Sequence, residues 1–290
     1  MTALLRAARA PLVLLVAAGF VFALRIMVAK FALSAGLDAV ALAVLGNLLA
    51  GLLLVPLLRV RGETVPCRPR HLGLYLVLGA VGVAGPTLVS YLAVAAVGAA
   101  YTATVYSLSP LLTVAFAAAI GVERLAGRRF AGIVLGFLGM LALVRGELGL
   151  GAGAPLWIAA GLAIPAMTAL GNVLRTLWWP AGTSALAFSA ATLFSSAALV
   201  ALLAPLSDPA GWLVPAAAAP LAVLVGLTAL SQVLNFRLQE VAGAVFFSQL
   251  GYWGTGFGVL LAVVLFDDAL TLASLMGLVA VVVGGVLARR

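Results

Sequence analysis

Ten apolar runs, each close to the thickness of a bilayer core, dictate what this chain can become. About 20 apolar residues cross the hydrocarbon. Runs of that size fall at about 11–33, 38–58, 71–94, 98–121, 129–146, 155–178, 183–204, 215–238, 241–266 and 270–288. In hydrocarbon every backbone N–H and C=O must be paired internally, and for runs this long that means helices. Prolines inside them (Pro86, Pro110, Pro165, Pro220) do not break the count, because neighbouring side chains can satisfy a freed carbonyl. Composition points the same way. Only 8% of the residues are charged, against about 25% in a soluble domain. The expectation is an all-α integral membrane protein with ten transmembrane helices.

Basic residues set the orientation. With the N-terminus cytoplasmic, most of the 16 Lys and Arg residues fall on the inner side, Arg59, Arg61, Arg68, Arg70, Arg124 and Arg175 among them. The last span then brings the C-terminus back inside, so both termini are expected to be cytoplasmic. The net charge of +8 is accounted for by this topology and needs no nucleic-acid partner. Arg6 and Arg9 before an apolar run resemble a signal peptide. That run continues past a signal-type core and lacks a polar cleavage region, so it reads as the first span. The single Cys67 permits no disulfide framework, and with His71 it makes no metal set; no cofactor is expected.

The sequence also repeats at half its length, 290/2 = 145. Gly98 and Ala99 recur as Gly243 and Ala244, Glu123 as Asp268, Leu125 as Leu270, Gly132 as Gly277, Gly139 as Gly284 and Arg145 as Arg290, all in one constant register. Residues 1–145 and 146–290 hold five spans each. An odd number of spans per unit forces the two to enter the membrane in opposite directions. The expectation is two inverted five-helix repeats with a substrate path between them. The glycine-rich connection around 146–154 suits a simple crossover.

Polar residues at membrane depth mark that path. Thr228, Ser231, Gln232, Asn235 and Gln239 recur at spacings of three and four and form one stripe on the eighth span. In the third span Val83, Thr87, Ser90 and Tyr91 stand at the places of Thr228, Gln232, Asn235 and Phe236. Tyr101, Thr104 and Ser107 of the fourth span map to Phe246, Gln249 and Tyr252 of the ninth. Thr168, Asn172, Arg175 and Trp179 share a face of the sixth, with Arg175 matching Lys30. Asn47, Asn172, Asn235, Gln232 and Gln249 carry amides that need several partners. Arg25 is the sharpest signal, a positive charge inside the first span with no carboxylate at its depth. It either snorkels to the surface or faces a cavity, where it attracts a carboxylate.

The Tyr101–Pro110 segment, the Glu123-Arg124-Leu125 turn and the glycine-spaced helix after it resemble the EamA-type repeat of the drug/metabolite transporter superfamily. Asp267-Asp268-Ala269-Leu270 and Gly277 resemble it a second time. The resemblance implies a ten-helix carrier whose central cavity is lined by helices 1, 3, 4, 6, 8 and 9, and it favours the bacterial aromatic-amino-acid exporters. Two departures concern the pocket. Phe22, Ala23 and Arg25 stand where the family commonly has Trp-Gly and small polar residues. A basic residue often found in the second span falls at Gly46, beside Asn47.

The expected function is export of small amino acids or related zwitterionic metabolites by alternating access across a bacterial cytoplasmic (inner) membrane. Arg25 would hold the carboxylate. Asn47, Gln232, Asn235 and Gln249 would bind polar groups, and Tyr91, Tyr101 and Tyr252 would contact the side chain. No Asp, Glu or His is placed at membrane depth, which favours a facilitative carrier over proton coupling. An alternative cargo on the same fold is a phosphorylated sugar, for which Arg25 with Lys30 or Arg175 at the margins makes a thin set of cations. An intramembrane enzyme lacks the nucleophile–base pair or metal it would need. The expected partners are a small-molecule substrate and the lipid bilayer, with no nucleic acid, in a monomer or weak homodimer.

Overall fold

Every regular element is a helix, and no strand occurs among the described residues. The computed structural model describes residues 2–121 and 154–266, with isolated positions between 127 and 139 and between 275 and 283. The expected fifth and tenth spans, the Glu123-Arg124-Leu125 turn and the Asp267-Asp268 segment lie largely outside them. So do Arg145 and Arg290. The other eight expected spans fall on helices, six of them apolar along most of their length.

Helix α1 (Thr2–Ser34) is followed after a short turn by α2 (Ala39–Val60). Asp38 starts α2 by accepting hydrogen bonds from the Val40 and Ala41 amides at 2.8 and 3.1 Å, which satisfies two of the orphan donors of the first turn. The third crossing is built in three pieces, α3 (Pro69–Gly79), a π-helical turn (Ala80–Ala84) and α4 (Gly85–Val97). Pro86 explains the middle piece. It has no N–H, and its ring crowds the carbonyl four residues earlier. The chain widens instead, with the Gly85 amide donating to the Ala80 carbonyl. The fourth crossing bends for the same reason. Between α5 (Ala99–Val105) and α6 (Ser109–Ala119), the Tyr106–Leu108 turn tightens to a 3₁₀ geometry ahead of Pro110.

After the undescribed stretch come α7 (Ala154–Gly161), α8 (Ala163–Leu177) and α9 (Ala185–Ala201). Ser184 starts α9 by accepting from the Ala187 amide at 3.1 Å. A run of 3₁₀ turns leads to α10 (Ala218–Ser248), which is broken at Gly243, and then to α11 (Leu250–Phe266). Helix α1 packs on α10 and α11, α2 on α9, and α6 on α8. Leu52, Leu53, Leu76 and Val77 face outward, as residues in contact with lipid tails do.

The connections sort to two ends of the bundle. At one end the Asp38 amide donates to the Gly211 carbonyl at 2.8 Å. At the other, Ser184 Oγ donates to the Glu63 carboxylate, and Val65 packs on the cluster containing Leu186 and Ala187. The 22-residue α2 separates these ends by about 33 Å at 1.5 Å per residue.

Two pairs of backbone features match across half the chain. Gly98 and Gly243 take φ values of 96° and 76° with extended ψ, each between the third and fourth, or eighth and ninth, crossings. Gly36 and Gly182 take φ values of 99° and 75°, each two residues before a capping residue, Asp38 or Ser184. The first pair is 243 − 98 = 145 residues apart and the second 182 − 36 = 146. The two spacings differ by one residue, where the sequence alone suggests a single constant offset. A π turn lies between Gly36 and Gly98, at Ala80–Ala84. A π turn holds one residue more than an α turn, and the region 145 residues further on is plain α-helix.

Asn47 belongs to this framework. Its Nδ2 donates to Ser196 Oγ at 2.8 Å, both groups buried between α2 and α9. Replacing it by alanine strands the serine hydroxyl and is expected to cost about 1–2 kcal/mol. The melting temperature in detergent should fall by a few degrees while solute affinity stays put. A loss of affinity with unchanged melting would show that Asn47 serves the solute instead.

Candidate functional site

The kinked and broken helices open a small space at the centre of the bundle. Its walls are Phe22 and Arg25 of α1, Gly82 and Val83 of the π turn, Pro86 and Thr87 of α4, Tyr106 and Ser109 around the second proline bend, Thr168, Asn172 and Arg175 of α8, Gln232, Asn235, Phe247 and Ser248 of α10, and Leu250 and Gly251 of α11. These are the first, third, fourth, sixth, eighth and ninth crossings. The cavity measures about 60 Å³. Each water needs roughly 10–15 Å³ by this measure, so the space suits a few waters in the present conformation. A metabolite enters only if the walls part.

Local structure places each side chain. The π turn and Pro86 carry Gly82 and Val83 inward. Gly82 lies so close to Gly171 that a Cβ on Gly171 would meet the Gly82 Cα at 2.6 Å. Thr168, Asn172 and Arg175 follow on one face of α8 at spacings of four and three. Tyr106 is held from both sides, its hydroxyl 2.8 Å from Ser90 Oγ and its ring edge-on to Phe22 with centroids 4.6 Å apart. Ser90 in turn donates to the Pro86 carbonyl at 2.5 Å, which satisfies a group near the proline bend. Gln239 Nε2 donates to the Asn172 carbonyl at 2.7 Å and to Thr176 Oγ1 at 2.6 Å. It ties α8 to α10 beside the cavity.

Two guanidinium groups border the cavity. Arg25 is 9% exposed, its Cζ is 5.7 Å from the Phe22 ring centroid, and its Nε is buried with no partner. Arg175 is 5% exposed and stacks its Cζ 4.3 Å from the Phe236 centroid and 5.7 Å from that of Phe247. Neither forms an ion pair among the described residues, and no Asp, Glu or His is found among the cavity's lining residues. Around them Asn172 has both amide atoms unpartnered, and Gln232 Nε2, Asn235 Oδ1 and Ser109 Oγ are likewise unpaired. Buried polar groups are normally satisfied, so an unpaired cluster facing one space is a place for water or solute.

The sequence candidates divide into two groups. Arg25, Gln232 and Asn235 line the cavity together. Asn47 bonds to Ser196, away from it. Tyr91 is buried in the cluster of Ala29, Leu37 and Ala84, and Tyr101 among Met27, Ala103 and Ile164. Tyr252 packs against the same cluster as Tyr101, and Gln249 is buried at the junction of α10 and α11. None of these five is a lining residue. Arg175 is the position the sequence reading misplaces, at the inner rim and among the basic residues of the cytoplasmic side. Its spacing with Thr168 and Asn172 was the available signal. Among the described residues no His, Cys, Asp or Glu cluster could hold a metal ion, and Cys67 is an exposed free thiol.

Several apolar crossings, lipid-facing leucines and a small central cavity lined by polar groups define a class, the multi-pass membrane proteins. Residues 9–145 match the EamA-like transporter family. A solved structure described as "Crystal structure of protein" is similar to the protein in fold, with a TM-score of 0.62 and 21% identity over 94% of this chain and 98% of that one. No curated protein matches the sequence.

Proposed function

We propose that the protein is an alternating-access carrier exporting a small carboxylate-bearing metabolite across the bacterial cytoplasmic membrane, with Arg25 as the carboxylate anchor. The observation that carries this reading is a buried arginine whose Nε lacks a partner, beside unpartnered amide atoms of Asn172, Gln232 and Asn235, in one central cavity. A cation inside a membrane is costly without a counter-charge, and a bound carboxylate supplies one. Two inverted five-helix halves rock about the site. The matching breaks at Gly98 and Gly243 support that arrangement, since Gly98 follows Val94 and Val97, which share a cluster with Leu33, while Gly243 adjoins Pro180 and Ser184 at the other end. Transport is facilitative, because among the described residues the lining offers two arginines and uncharged groups but no carboxylate or imidazole to carry a proton.

Counterflow of a labelled small carboxylate in proteoliposomes tests this. A charge-assisted hydrogen bond contributes about 1.5–3 kcal/mol, so Arg25→Ala should lower flux by about 10- to 100-fold and Arg25→Lys by less. Undiminished flux through Arg25→Ala would remove the anchor role.

A further inference from the structure

The second guanidinium has no role in a carrier of zwitterions with a single carboxylate. Arg175 lies in the same cavity as Arg25, and among the described residues neither has an acidic neighbour to neutralise it. Two uncompensated cations around so small a space repel each other, and low dielectric sharpens the repulsion. They also rest on different helices. Arg25 rests by the Phe22 ring on α1, whereas Arg175 is stacked between Phe236 and Phe247 of α10 and abuts Gly82. No ring is shared, so the two donor forks belong to different walls. One compact anion would draw them together, whereas two separate anionic groups engage each on its own wall once the walls part.

We propose that the substrate is a small dicarboxylic acid, with one carboxylate on Arg25 and the other on Arg175. Planar guanidinium groups suit carboxylates because two parallel N–H donors match two oxygens. The free oxygens of Asn172 and Asn235 accept from a hydroxyl or ammonium group on the short chain between the carboxylates, so dicarboxylic amino acids fall within the class. The proposal rests on the carrier reading and narrows its cargo. Arg175 becomes a specificity-determining residue, setting the number of carboxylates rather than the ability to bind one.

The test uses full-length protein in proteoliposomes loaded for counterflow of labelled succinate, with aspartate, alanine, propionate and glycerol phosphate as competitors. Succinate or aspartate should compete at concentrations at least about tenfold below those of alanine and propionate, as one extra charge-assisted contact implies. Arg175→Gln should cut dicarboxylate flux at least about tenfold more than monocarboxylate flux, and Arg175→Lys should restore part of the difference. A merely structural arginine would lower both fluxes alike. Alanine preferred over succinate, with a preference that Arg175→Gln does not alter, overturns the dicarboxylate assignment and leaves the carrier standing. Glycerol phosphate as the strongest competitor also overturns it, in favour of one polyvalent anion. If no carboxylate moves at all, this inference and the carrier reading beneath it both fail.

Discussion

A leucine at position 171 is expected to prevent the protein from folding. The reason is a contact between two backbones. A Cβ on Gly171 would lie 2.6 Å from the Gly82 Cα and 3.2 Å from its nitrogen, and a Cβ on Gly82 would in turn meet Gly171 Cα at 3.6 Å. Neither neighbour is a flexible side chain that could turn aside. Overpacking a tight interior costs about 1–3 kcal/mol for modest additions, and leucine adds a whole branched side chain. Helices in membranes associate through just such small residues, since lipid offers no hydrophobic drive between them. The contact also sets the site, because Asn172 is the next residue and Arg175 lies one turn further along α8. Gly171→Leu should give no monodisperse peak in mild detergent, and Gly171→Ala should lower both melting temperature and flux. Gly226→Ala is the control, since a Cβ there meets nothing within 4 Å. Normal yield and flux from Gly171→Leu would mean that α8 does not approach the π turn.

What could be read ahead of the structure follows from periodicity and length. Thr228, Ser231, Gln232, Asn235 and Gln239 form a stripe on one helix, and all five are buried. That pattern is local and depends only on 3.6 residues per turn. The partners of polar residues are not local. Asn47 is satisfied by Ser196, 149 positions away, and nothing near Asn47 in sequence distinguishes a structural amide from a ligand-binding one. Tyr91 and Tyr101 are buried as expected of aromatic residues in mid-span, but in hydrophobic clusters and not among the cavity's lining residues. Arg175 is hard to place from sequence for a related reason. It is two residues from the end of α8, where an arginine ordinarily snorkels to water. The rings that hold it inside belong to Phe236 and Phe247 on another helix. Pro86 could be seen and its tolerance expected. That the helix widens by one residue there and Gly82 comes against Gly171 depends on how the neighbours pack.

The matched glycines give the other large effect. Gly98 and Gly243 combine φ of 96° and 76° with ψ of 167° and 173°, a region open essentially to glycine alone. A Cβ at either position meets no atom within 4 Å, so space is available and any cost of substitution comes from the backbone. Holding an alanine there should cost about 1–3 kcal/mol. The two sites lie at opposite ends of the bundle and share no partners, so their costs should add. The double variant Gly98→Ala, Gly243→Ala is then expected to lose about 2–6 kcal/mol, a large fraction of the stability of most proteins. These breaks let the fourth and ninth crossings follow the third and eighth with hardly any intervening loop. They also aim the segments that carry Tyr106 and Phe247 into the cavity. Relaxing either break would swing one aromatic wall away, so flux should fall beyond what lost stability explains. Unfolding of the single and double variants in detergent, read beside counterflow of the folded fraction, measures both effects. Equal single costs that sum in the double variant support two halves built on one plan. A cost-free alanine at one position and a heavy cost at the other would show that only one junction needs its break, and the equivalence of the halves would lose its best structural support.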